Sequence, residues 1–204
     1  AAVCFNTIEG EKNGLPIPTS WKDLTNPVYK GHISMPNPSS SGTGFLDVSS
    51  WLQIFGESEG WKYMDALHEN ISAYTHSGSK PCKQAAAGES SIGISFAFRG
   101  AKSKADGAPI EIIVPTEGVG WDMEATAIIK GTKNLDAAKT LADWSISLKA
   151  NQMYNDAYAV VAIPGIAKPV PFFPENLVSS MIDNDFDYAA SNRASILEEW
   201  QKRY

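Results

Sequence analysis

Apolar and polar residues alternate between short and long periods along the chain. Ala1–Phe5 is a run of small and apolar residues that reads as a buried strand. Gly31–Met35 reads as a second strand. After a polar loop, Phe45, Val48, Leu52 and Phe55 recur at helical spacing, with Gly56 at the expected end. Trp61, Met64, Leu67 and Ile71 predict a further helix from about residue 57. Ile92, Ile94, Phe96 and Phe98 alternate with Gly93, Ser95 and Ala97, which predicts a strand over 91–98, followed by an exposed loop over 100–108. Ile110–Val114 and Ala125–Ile129 read as strands. Leu135, Ala138, Leu141, Trp144 and Leu148 form an apolar stripe behind a candidate cap, Asn134, and a second helical stretch covers about 150–158. The segment 162–174 carries four prolines and reads as extended, and two closing helices are expected near 175–182 and 191–202. Strands alternating with helices predict an α/β layered fold in which strands 1–6, 31–35, 91–98 and 109–114 share one sheet.

Composition narrows the function. The 204 residues are 43% hydrophobic and 20% charged, with six Trp and eight Phe, which suits a packed core. Net charge is −6 and no basic stripe is present, so nucleic acid is excluded as the expected partner. No stretch reaches the roughly 18 apolar residues of a membrane helix, and no signal peptide is visible. His32, His68 and His76 are scattered without ligand spacing, so neither a metal nor a cofactor is expected. Cys4 and Cys82 fit two buried thiols or one disulfide, and their spacing does not choose between them.

The segment with the most chemistry is Ser39-Ser40-Ser41-Gly42-Thr43-Gly44, between a strand and an amphipathic helix. A helix N-terminus offers unpaired N–H groups and the positive end of a dipole to an anion. Hydroxyls add neutral donors, and glycines let the backbone come close to a ligand. The alternative is a plain capped turn. Neither the Gly-Lys-Ser/Thr of a phosphate loop nor Gly-x-Ser-x-Gly is present. A serine-type hydrolase would need a base near Ser39–Ser41, and no neighbouring His offers one. Arg99 could fork onto a phosphonate, and Trp121 with Glu124 could hold an ammonium group. The bland readings are a solvated Arg and a hinge with a buried Trp.

Leu15-Pro16-Ile17-Pro18-Thr19-Ser20-Trp21-Lys22-Asp23-Leu24, then Asn26-Pro27-Val28-Tyr29-Lys30-Gly31-His32-Ile33, then the Ser-Gly-Thr-Gly loop, resemble the type II periplasmic solute-binding proteins of the ferric-ion and phosphonate group. Ala87-Gly88-Glu89 with Ile92-Gly93-Ile94, and Gly118-Val119-Gly120-Trp121 with Glu124-Ala125, extend the likeness over most of residues 15–150. The loop, Ser77-Gly78-Ser79-Lys80-Pro81-Cys82 and Ser95-Phe96-Ala97-Phe98-Arg99 resemble 2-aminoethylphosphonate-binding proteins most. Ferric-binding relatives carry adjacent tyrosines where this chain has Phe96-Ala97-Phe98, which speaks against iron. The resemblance implies a monomeric, non-enzymatic periplasmic binding protein of type II fold that passes a small phosphonate-like anion to the membrane subunits of an ABC importer. Ferric ion, a polyamine or a sugar phosphate are the alternative ligands. It implies that residues 1–117 are most of the second lobe, that 118–163 return to a first lobe largely missing from this chain, and that 164–204 pack back on the second lobe.

Overall fold

The computed structural model describes residues 1–204 except Pro164 and Ala167. Two compact units emerge, Ala1–Trp121 with Phe173–Tyr204, and Asp122–Phe172.

The first unit is built on a five-stranded mixed sheet in the order β3-β2-β4-β1-β5. The strands are β1 (Ala2–Asn6), β2 (Ile33–Pro36), β3 (Ile71–Thr75), β4 (Ile92–Ser95) and β5 (Ile110–Ile113). β2 runs parallel to both β3 and β4, whereas β1 runs antiparallel to β4 and β5. Thus β2, β3 and β4 all end at one edge of the sheet, and β1 begins there. Helices α1 (Thr7–Lys12), α2 (Gly42–Phe55), α3 (Glu57–His68), α4 (Lys80–Ala86) and α5 (Ala97–Ala105) connect them, with 3₁₀ turns at Lys22–Thr25 and Pro27–Tyr29.

Burial follows the pleat and the helical stripes. Phe5, Ile33, Met35, Ile92, Ile94 and Ile110 fill the sheet, while Trp21, Trp51, Leu24, Tyr29, Met64 and Leu67 fill the helical side. Trp51 packs edge-on against both Trp21 and Tyr63, with ring centroids 5.3 and 5.2 Å away. Ser20 and Asp23 form a capping box: Ser20 Oγ accepts from Asp23 N–H, and Asp23 Oδ2 accepts from Ser20 N–H. Asn70 donates to the carbonyls of Leu24 and Asn26, each at 2.8 Å, tying this turn to the core.

The second unit contains α6 (Leu135–Ser145) and α7 (Leu148–Asp156). Every residue of α6 stays at least partly exposed, and Leu141 is 62% exposed. Ile128, Ile129, Ala138 and Leu141 line an open apolar depression. Asn155 organises the end of α7 by bonding Ala159 O and both backbone groups of Lys168.

Several expectations are corrected. The strand over 91–98 stops at Ser95, and Phe98 and Arg99 lie in α5. Phe96 and Phe98 mimic strand alternation but lie at the start of a helix that occupies most of the expected 100–108 loop. Ile71 belongs to β3, which the periodicity assigned to the helix before it. Residues 125–129 form no strand; within their unit no neighbouring strand is described to pair their backbone groups. Residues 175–182 form turns and one bridge, Val119 with Met181, so a single closing helix, α8 (Phe186–Arg203), replaces two. The 162–174 stretch is non-helical where described, with Pro164 and Ala167 outside the described residues.

Asp47 on α2 is 1% exposed, and neither carboxylate oxygen has a hydrogen-bond partner among the described residues. Burial pushes its carboxyl up from 3.8 to about 7. Between those values the unfolded chain gives up the proton and the folded chain keeps it, so this group makes stability fall as pH rises from about 4 to 7. The shift corresponds to about 4 kcal/mol. Asp47→Asn is expected to gain stability over the parent at pH 8 and little at pH 4, measured by denaturant unfolding at both values.

Candidate functional site

The sheet edge where β2, β3 and β4 end carries three loops, each leading into a helix: Asn37–Ser41 into α2, His76–Ser79 into α4, and Phe96 into α5. Ligand crevices in open α/β sheets form outside the carboxyl ends of strands.

The α2 loop is held from below. Asn37 N–H donates to Thr75 O, the Asn37 side chain accepts from Ser39 N–H, and Ser40 and Ser41 N–H both reach Asn37 O. Ser41 is the N-cap, its hydroxyl accepting from Gly44 N–H at 3.4 Å. The helix thus starts at Gly42, and the Gly44 N–H is already occupied by the cap. The N–H groups of Gly42 and Thr43 have no acceptor among the described residues. Ser39, Ser40 and Gly42 are exposed, whereas Ser41, Thr43 and Gly44 are buried.

A second hydroxyl-rich loop lies against the first. A Cβ at Gly78 would fall within 1.9 Å of Thr43 Oγ1 and 3.1 Å of Ser41 Oγ. Gly78 O accepts from the Ser95 hydroxyl at 2.6 Å, Ser77 O accepts from the Thr75 hydroxyl at 2.9 Å, and the Ser77 and Ser79 hydroxyls are 3.3 Å apart. His76, exposed, places Nδ1 3.1 Å from Ser40 Oγ. Gln201 of α8 donates to Ser39 Oγ at 3.3 Å. The edge is rich in neutral donors.

Arg99 sits in the first turn of α5, above the end of β4. Its guanidinium lies 4.7 Å from the Phe98 ring centroid, and its buried Nε has no partner among the described residues. Trp121 turns to structure instead: its indole N–H donates to Ile182 O at 2.8 Å, and its ring meets Phe186 edge-on. Glu124 is exposed and belongs to the second unit. Among the described residues no cluster of three or more His, Cys, Asp or Glu side chains could hold a metal.

Sequence reasoning missed His76 and undervalued Ser77–Ser79. The signal was a second Ser/Gly loop before a helix, but with β3 unrecognised nothing placed that loop at the same edge. The histidine that the sequence did not place beside Ser40 is His76. No carboxylate among the described residues is hydrogen-bonded to its ring, so the orienting third member of a triad is not in place.

The bacterial extracellular solute-binding protein family matches the chain over residues 5–192. The chain belongs to this family. A Haemophilus influenzae protein is 34% identical over 190 residues, covering 90% of this chain and 54% of its own length. The periplasmic binding protein AfuA from Actinobacillus pleuropneumoniae, solved with exogenous fructose-6-phosphate bound, is similar with a TM-score of 0.89 and 34% identity, over 99% of this chain and 65% of that one. The periplasmic binding protein P5PA is similar with a TM-score of 0.87 and 31% identity, over the same shares. The chain therefore spans between half and two thirds of the length of these relatives, and its fold is that of the type II periplasmic binding proteins.

Gly44 admits the loop over β2: a Cβ there would lie 2.6 Å from Pro36 O and 2.8 Å from Asn37 C, both backbone atoms. Gly44→Ala is expected to destabilise the protein by about 1–3 kcal/mol, seen as a lower denaturant midpoint.

Proposed function

We propose that the protein is the extracytoplasmic solute-binding component of an ABC importer, located in the periplasm and working with the importer's membrane subunits. It is not an enzyme. Its ligand is a small anion carrying a phosphonyl or phosphoryl group. The observation that carries this reading is the α2 N-terminus: two N–H groups, at Gly42 and Thr43, without acceptors among the described residues, beside the hydroxyls of Ser39, Ser40, Ser77 and Ser79 and the His76 ring. Fixed dipoles and neutral donors bind a tetrahedral anion with little reorganisation, and without a buried counter-charge that would hinder release. Arg99, at the same sheet edge, supplies the one permanent positive charge in this set.

The sequence favours 2-aminoethylphosphonate. A sugar phosphate is a second reading, favoured by the likeness to AfuA. Both share the same headgroup chemistry. Ferric ion is disfavoured because Phe96 and Phe98 carry no ligating oxygen.

The same reading extends to architecture. Residues 1–117 are most of one lobe, 118–163 enter the other, and 164–204 return. The apolar face of α6 is then a core face of the first lobe. Limited proteolysis is expected to cut the 204-residue chain within 122–172 first, and to spare that segment in a full-length protein.

Titration calorimetry on the full-length protein with 2-aminoethylphosphonate, fructose-6-phosphate and ferric ion tests the ligand class. One of the first two is expected to bind. Ser40→Ala with His76→Ala removes exposed groups, so affinity should fall at least tenfold with the melting temperature unchanged, each bond to a charged group being worth about 1.5–3 kcal/mol. Binding of ferric ion alone, or parental affinity in the double variant, would sink the assignment.

A further inference from the structure

We propose that Cys4 and Cys82 are positioning residues for the anion site. Their disulfide holds the first turn of α4, and with it the Ser77–Ser79 loop, in its binding geometry. This inference rests on the site assignment above.

The two cysteines are bonded and fully buried. Cys4 lies mid-strand in β1, directly opposite Gly93 of β4. A Cβ at Gly93 would fall 2.2 Å from Pro81 O and 2.8 Å from Cys82 N, so the start of α4 lies flat on the β4 backbone. The disulfide continues this contact one strand further, to β1. Cys82 stands three residues after Ser79, less than one helical turn from the loop.

Besides the disulfide, α4 is tied to β1 at its far end, where the Asn6 amide donates to Ala85 O at 2.7 Å, but its first turn has no such bond from β1. α4 has seven residues, and Ser79 makes no side-chain capping bond. Helices this short are marginal on their own. The loop itself is held by the Ser95 and Thr75 hydroxyls, and it must reach Thr43 closely enough that only a glycine fits at position 78. Small rotations of α4 about its contact with β4 would therefore withdraw Gly78 from Thr43 and carry the Ser77 and Ser79 hydroxyls away from the α2 N-terminus. The covalent tie to β1 blocks that rotation. A link with a purely stabilising role acts on the unfolded chain, and its loss lowers the melting temperature alone. A positioning link also changes affinity far below the melting transition.

The test uses the full-length protein and two variants, Cys4→Ala/Cys82→Ala and Cys4→Val/Cys82→Ala, the second refilling part of the lost core volume. Titrations use 2-aminoethylphosphonate, fructose-6-phosphate and inorganic phosphate at a temperature where each variant is folded. Amide hydrogen exchange is followed in parallel. The expected result is at least tenfold weaker binding in a folded variant, with faster exchange confined to residues 77–83 and unchanged exchange in β2 and α2. Parental affinity in either folded variant overturns the proposal, as does faster exchange spread evenly over the sheet. A parent that binds none of the three probes overturns the site assignment instead. The exchange pattern would still report whether the disulfide holds the loop.

Discussion

Backbone packed on backbone is the constraint on which this structure depends. At Gly44 and Gly93 no side chain separates one element from the next, and at Gly78 the backbone lies directly against the Thr43 side chain. The α2 loop rests on the end of β2, the β3–α4 loop rests on Thr43, and α4 rests on β4. Because β2, β3 and β4 run in the same direction, these contacts gather at one edge, where helix N-termini and serine hydroxyls converge. Larger residues at any of the three positions would separate the layers and scatter the donors.

The chemistry of that edge contrasts with the interior around α2. The edge offers many neutral donors and the Arg99 guanidinium, which suits an anion that must arrive and depart. Beneath it, α2 buries Asp47, Ser49 and Ser50 as well as its apolar residues, and burial holds the Asp47 carboxyl near neutrality. A helix packed on nearly all sides keeps its N-terminus fixed, which is what a preorganised anion site requires. The uncompensated carboxylate is the local disadvantage of that placement.

Legibility in the sequence followed local strength. The strands at 1–6, 31–35 and 109–114 and helices α2, α3 and α6 have clear periods, and the Ser-Gly-Thr-Gly loop announced its own position. β3 was hidden because its exposed Ser72 and Ala73 give an edge strand no apolar run, and Ile71 continued the stripe of the preceding helix. Phe96 and Phe98 misled because two aromatics two apart satisfy a strand as well as the start of a helix. The role of Ser77–Ser79 could not be read at all without β3, since only the parallel pairing of β2 and β3 brings the two loops together. Arg99, which follows the expected strand in the sequence, lies in the first turn of α5. Glu124 and Trp121 were chosen by residue type, and Trp121 turned out to be engaged with Ile182 and Phe186.

Strand order also sets the timing of folding. β1 is first in the sequence, yet it lies inside the sheet between β4 and β5, and its pairing of Ala2 with Ser95 spans about ninety residues. This sheet is complete only once β4 and β5 have been made. Pairings so distant raise contact order and slow the search for the native arrangement. The sheet therefore stays open until its last strand arrives, and until then the stretch before it can still be threaded through a narrow pore.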